Sequence, residues 1–159
     1  MGRQGPRSGN LREDDMFVRD ILGDQRAIIS CRPEDTVQTG AMLLHSNYIG
    51  AMPVLDAEGK LVGIFGERDI VRAFASRMPK VAEMRISELM SKNVITCSVD
   101  ASVYDAMALM KKHRIRHLPV MDGQKLIGVV SIRDALELMR RDADLKAAVM
   151  RDIAIARAH

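Results

Sequence analysis

Two short motifs place an acid where a helix should begin: Ser131-Ile132-Arg133-Asp134 and Gly66-Glu67-Arg68-Asp69. Each follows a run of β-forming residues and opens an amphipathic stretch, so the Asp falls in the first helical turn. A helix start offers unpaired N–H groups and a positive dipole end, which favour a phosphate or sugar oxygen nearby. An ionised Asp there accepts only, and can take both hydroxyls of a vicinal diol such as that of ribose. The blander reading is an acid that merely complements the helix dipole. Arg133 and Arg68, inside the motifs, are secondary candidates for an anion. The segment 111–117, Lys-Lys-His-Arg-Ile-Arg-His, carries four cations and two histidines with no acid. Lys111 and Lys112 suit the C-terminal end of a helix; Arg116 and His117 enter the strand that follows and are the better phosphate candidates.

Catalytic chemistry finds no such footing. Cys31 and Cys97 lie in strand-like segments with no His at a motif spacing, and the four histidines form no metal-ligand pattern. Gly63 and Gly66 lack the remainder of a glycine-rich phosphate loop. The expectation is a binding protein: not an enzyme, with no metal and no catalytic cofactor.

The elements that position the motifs occur twice. Cys31, Val37, Leu43, Ile49, Pro53, Val54 and Asp56 recur 66 residues later as Cys97, Val103, Leu109, Ile115, Pro119, Val120 and Asp122. Beyond the Asp/Gly turn, Lys60, Leu61, Gly63, Arg68 and Asp69 recur at a spacing of 65. An indel confined to a turn is what a duplicated fold should show, and a repeat must be recognised before any element is assigned. Each copy reads as a leading helical turn (Phe17 to Leu22; Ile86 to Met90), a short strand (Ala27 to Ser30; Asn93 to Thr96) and a helix N-capped by Thr36 or Ser102. A hairpin follows (Ala51 to Leu55 with Leu61 to Phe65; His117 to Met121 with Leu126 to Val130). A second helix closes each copy, with Ile70, Val71 and Phe74, or Ala135, Leu136 and Met139, as its buried stripe.

The expected fold class is therefore α/β (α+β): two β-α-β-β-α repeats packed through a pseudo-two-fold, with an additional C-terminal helix. Residues 1–15 read as a disordered lead, 16–78 as the first repeat, 79–85 as a linker, 86–142 as the second repeat and 143–159 as the extra helix. The composition, 159 residues with 47% hydrophobic and 28% charged residues, is that of a globular protein able to bury a core. No apolar run is long enough to span a membrane. Two cysteines at matching positions read as buried thiols and not a disulfide framework. The expected setting is cytoplasmic.

The doubled order of elements resembles a tandem cystathionine-β-synthase (CBS) domain pair, or Bateman module, of the stand-alone bacterial type. Its carriers are Gly50-Ala51-Met52-Pro53-Val54 and Arg116-His117-Leu118-Pro119-Val120, the hairpin turns, and the closing Gly66-x-x-Asp69 and Ser131-x-x-Asp134. The resemblance implies two clefts between the repeats that bind an adenine nucleotide, AMP first, with ADP, ATP or NAD(H) also possible. It implies a regulatory module that signals through an interface or conformational change. It also implies a homodimer and an unidentified downstream protein. Asp134 and Asp69 become the ribose ligands, and Arg116 and His117 the phosphate contacts, with Arg116 serving both clefts. Thr96, Ile95 and Ala101, with counterparts Ile29, Ser30 and Asp35, match the family's adenine-side segment. Pro119 and Val130, or Pro53 and Phe65, would supply flat apolar wall. Gly66 stands where the second copy has the hydroxyl of Ser131, so the Asp134 cleft is expected to bind more tightly. The alternative is a nucleic-acid binder using the 111–117 segment. Five aromatic residues in the whole chain argue against it.

Overall fold

Two antiparallel hairpins, built alike, carry the repeat into three dimensions. In the computed structural model, which describes residues 16–23 and 27–157, β1 (Ala51–Leu55) pairs with β2 (Leu61–Gly66), and β4 (His117–Asp122) pairs with β5 (Lys125–Ser131). Both hairpins carry an irregularity at the same place, between Val54 and Leu55 and between Val120 and Met121. The duplication thus extends to a bulge, a feature that re-aims a strand. Both turns use a glycine in the left-handed region, Gly59 (φ 80°) and Gly123 (φ 58°), so the one-residue indel changes the turn and not the strands.

The strand expected before each hairpin is shorter and later than its apolar run suggests. It reduces to a parallel bridge from Cys31 to Val54 and to β3 (Cys97–Ser98) beside β4. Cys31 and Cys97 are buried free thiols, pushed up to about 12 and about 11, with burial the leading cause in each. The helices α2 (Val37–Ser46) and α5 (Val103–His113) start where their caps require: the Thr36 hydroxyl accepts from the Thr39 N–H, and the Ser102 hydroxyl from the Asp105 N–H.

The leading turns exchange places. α1 (Val18–Leu22) belongs by order to the first copy, yet its Val18 N–H donates to the Ala101 carbonyl at 2.9 Å and Val18 and Leu22 complete the core of the second copy. In return, α4 (Ile86–Leu89) docks on the first copy, with the Ile86 N–H on the Asp35 carbonyl at 2.9 Å; Val81, Ile86 and Leu89 join that copy's core. Val81 lies in a 3-10 turn, Val81–Glu83, within the segment read as a linker. The two copies are therefore interlocked through both leading turns.

Two further expectations need correction. The closing helix α3 (Glu67–Ala75) buries Asp69 and Ala73, while Val71 and Phe74 face outward, Phe74 at 64% exposure. In the second copy Ala135 is buried, Leu136 exposed and Met139 half-buried, so the outward position of Val71 recurs but that of Phe74 does not. The second closing helix and the tail are also one element, α6 (Ile132–Arg157), of 26 residues or about 39 Å. It is stapled at the join by Glu137 with Arg140 and Arg141, and by Arg140 with Asp144. The lead assigned to residues 1–15 lies outside the described residues. Among the described residues, no helix is long and apolar enough to cross a membrane.

Candidate ligand-binding clefts between the repeats

Each closing motif begins its helix in the same manner. The Gly66 N–H donates to Asp69 at 2.9 Å and the Ser131 N–H donates to Asp134 at 2.9 Å, so both carboxylates cap their own helices. In the second copy the Ser131 hydroxyl adds a 2.7 Å bond to the same oxygen of Asp134. That leaves the other Asp134 oxygen with no protein partner among the described residues. Asp69 differs: its second oxygen accepts from Arg72 at 2.7 Å, and Arg72 also donates to the Leu89 carbonyl at 3.3 Å. Asp69 is 8% exposed, and its burial raises its pKa against the lowering pull of Gly66 and Arg72.

These motifs face two clefts that share a wall. One, of about 300 Å3, sets Gly66, Arg68, Asp69 and Arg72 of the first copy against Ile95 and the 114–117 segment of the second. The other, of about 740 Å3, sets Ser131, Arg133 and Asp134 against the end of α2, with His45 and Tyr48. Gly50, Ala51, Glu67, Arg116 and His117 line both. At Gly50 the shared wall is bare backbone, and a Cβ there would lie 3.1 Å from His117 Cε1. His117 is half-buried, and desolvation lowers its pKa; Asp134 and Glu67 oppose that shift, while Arg68 and Arg116 add to it. Arg68 further ties the copies by donating to the Arg114 carbonyl at 3.2 Å.

Eleven lining contributions thus come from nine of the expected residues: Gly66, Arg68, Asp69 and Ile95 in one cleft, Ser131, Arg133 and Asp134 in the other, and Arg116 and His117 in both. The rest sit elsewhere. Phe65 and Val130 are fully buried in the two cores, because side chains alternate along a strand. It is their neighbours Ile64 and Val129 that reach the clefts. Pro53 and Pro119 are buried within the hairpins and line neither cleft. Asp35 and Ala101 give their carbonyls to the exchanged turns, and the Asp35 side chain accepts from the Arg32 N–H at 2.8 Å. Ile29, Ser30 and Thr96 are half-buried outside both linings.

Residues not anticipated include Glu67, Arg72, Tyr48 and Arg114. Tyr48 and Arg114 were detectable as counterparts: they stand at matching repeat positions, each ending a helix in the left-handed region, with φ of 54° and 55°. Arg72 was signalled by Asp69-x-x-Arg72, a spacing at which helical side chains meet; the second copy has Glu137 there.

The profile of the family described as "CBS domain" matches residues 18–76 and 86–141. Among curated proteins, the chain is 33% identical over 117 residues to the CBS domain-containing protein YhcV of Bacillus subtilis, covering 74% of this chain and 81% of that one. Among solved structures, it resembles the CBS domain pair of protein MJ0100 in complex with 5′-methylthioadenosine and S-adenosyl-L-methionine, at TM-score 0.71 and 30% identity, covering 80% of this chain and 98% of that one. It also resembles the CBS domain protein PAE2072 of Pyrobaculum aerophilum complexed with AMP, at TM-score 0.68 and 28% identity, covering 75% and 89% respectively.

Proposed function

The chain belongs to the CBS-domain family, and from that premise we propose that it is a regulatory module that binds an adenosyl nucleotide between its repeats and relays the binding to a partner protein. The observation that carries this reading is the Asp134 carboxylate. One oxygen is held by Ser131, and the other, with no protein partner among the described residues, stands beside a cleft of about 740 Å3. A fixed acceptor of that kind recognises a ribose diol. Arg116 and Arg133 in the same lining balance a phosphate, and Tyr48, 95% exposed at its edge, offers a flat face to a base. The cleft volume lies within the ~300–1,000 Å3 common for small-molecule sites. The ligand class is AMP, ADP, ATP, NAD(H) or another adenosyl compound, consistent with the ligands held by the MJ0100 and PAE2072 relatives. The module itself performs no catalysis in this reading, and its free thiols suit a reducing cytoplasmic setting.

A ligand that binds only the native state raises the melting temperature by mass action, about 2.7 kcal/mol at a hundredfold excess over Kd. Thermal shifts with AMP, ATP, NADH and S-adenosylmethionine should exceed those with CMP and UMP. Equal shifts across the two groups would sink the reading. The nucleic-acid alternative loses ground because Arg114, Arg116 and His117 turn toward the clefts, leaving Lys111 and Lys112 as its outer cations.

A further inference from the structure

The two clefts differ in charge, in space and in the state of their aspartates. Four arginines, Arg68, Arg72, Arg114 and Arg116, line the Asp69 cleft against the carboxylates of Glu67 and Asp69. The Asp134 cleft sets Arg116 and Arg133 against Glu67 and Asp134. One cleft is thus formally cationic and the other balanced. Both oxygens of Asp69 are engaged, by the Gly66 N–H and by Arg72, so a sugar diol would have to displace a guanidinium at 2.7 Å. In the second copy the position of Arg72 is held by Glu137, which turns to Arg140 and Arg141, so among the described residues no arginine takes the second oxygen of Asp134. The Asp69 cleft is also less than half the size of the other, about 300 Å3 against about 740 Å3.

We propose that the Asp69 cleft is an oligophosphate site and not a second nucleoside site. Arginine suits such a ligand because its planar fork holds two phosphate oxygens at once. The phosphate chain reaches it in one of two ways. It is free, or it belongs to a nucleotide whose sugar rests on Asp134 and whose chain passes over the Gly50–Ala51 backbone beside Arg116, the arginine common to both linings. The nucleotide route rests on the function proposed above; the arginine cleft does not.

The test is titration calorimetry of the full chain at low salt with adenosine, AMP, ATP and inorganic tripolyphosphate. Tripolyphosphate should bind one per chain and be displaced by ATP. ATP should bind one per chain, at least tenfold tighter than AMP. Arg114→Gln, at an exposed position, should weaken tripolyphosphate and ATP at least fivefold while adenosine changes less than twofold. Arg72→Gln should do the same, and Arg114→Gln keeps the test readable if loss of the Asp69 partner prevents folding. Two adenosines or two AMP per chain at similar affinity would overturn the proposal, as would tripolyphosphate binding indifferent to the exposed-arginine variant. Tripolyphosphate binding without any adenosyl binding would instead sink the nucleotide function and leave the arginine cleft standing as a site for a free chain.

Discussion

Removing each closing-motif aspartate should injure different properties, although the two residues occupy equivalent places in the repeat. Asp69→Ala strips the acceptor from a buried Gly66 N–H and leaves Arg72 with only the Leu89 carbonyl. An unsatisfied buried donor costs about 1–3 kcal/mol. The Arg72 side chain is 63% exposed, so losing its ion pair adds little. For a chain of this size that cost lowers the melting temperature by roughly 2–12 °C. Adenosine binding should change by less than about threefold, because the Asp69 oxygens are already engaged. Asp134→Ala reverses the pattern. The carboxylate is exposed and water can reach the N–H it leaves, so destabilisation stays below about 1 kcal/mol. Loss of a charge-assisted bond to a diol costs roughly 1.5–3 kcal/mol, about 10- to 150-fold in Kd. Calorimetry with adenosine and differential scanning fluorimetry on the same two variants read both quantities. If Asp69→Ala proves the more damaging to adenosine binding, or Asp134→Ala the more damaging to stability, the reasoning from carboxylate occupancy is wrong.

Gly66→Ser, which would make the first motif match the second, should not restore a hydroxyl contact but cost about 1–3 kcal/mol in denaturant midpoint, since a Cβ there lies 2.6 Å from the Gly50 carbonyl oxygen. The lowered pKa of His117 means the unfolded chain binds more protons than the native one between the native value and 6.5. Stability should therefore rise with pH through that window and fall as the pH drops. His117→Asn should flatten the profile between pH 5 and 7, and an unchanged slope would show that another group governs it. We also expect a homodimer at micromolar concentration, joined through Val71, Phe74 and Leu136 or through the α6 stripe of Leu145, Val149 and Ile153, of which Leu145 is 64% exposed. Sedimentation should then show Phe74→Glu or truncation after Arg141 shifting the protein toward monomer; a wild-type monomer would refute the dimer.

What the sequence made legible was whatever rests on local chemistry. The hairpins were readable to within a residue because Asp/Gly turns and the apolar runs beside them are short-range signals, and the helix starts because Thr36 and Ser102 are themselves the caps. What stayed hidden depends on partners far along the chain. The first strands shrink to Cys31 and to Cys97–Ser98 because a parallel bridge is defined by Val54 or Val120 opposite, not by its own apolar run. The cleft walls were misread by one residue, and a single step along a strand exchanges core for cleft: Phe65 for Ile64, Val130 for Val129. Val71 and Phe74 face outward, and sequence alone does not separate them from core, because an apolar stripe looks the same whether it meets its own sheet or solvent. Arg72 was visible at its spacing but acquires meaning only once it is seen to occupy the oxygen that Asp134 keeps open.

The exchanged leading turns give the chain a timetable. As it leaves a ribosome, the first copy lacks Val81, Ile86 and Leu89 until its downstream turn has emerged, whereas α1, made early, has nowhere to dock until Val99 and Ala101 and the core around Leu118 and Val130 arrive. Val18 and Leu22 must wait as exposed apolar residues until that core is made, a contact of long sequence separation that forms late. Proteolytic or genetic division between the copies would therefore yield two fragments each missing part of its own core. Mixing the severed halves should recover structure that neither has alone.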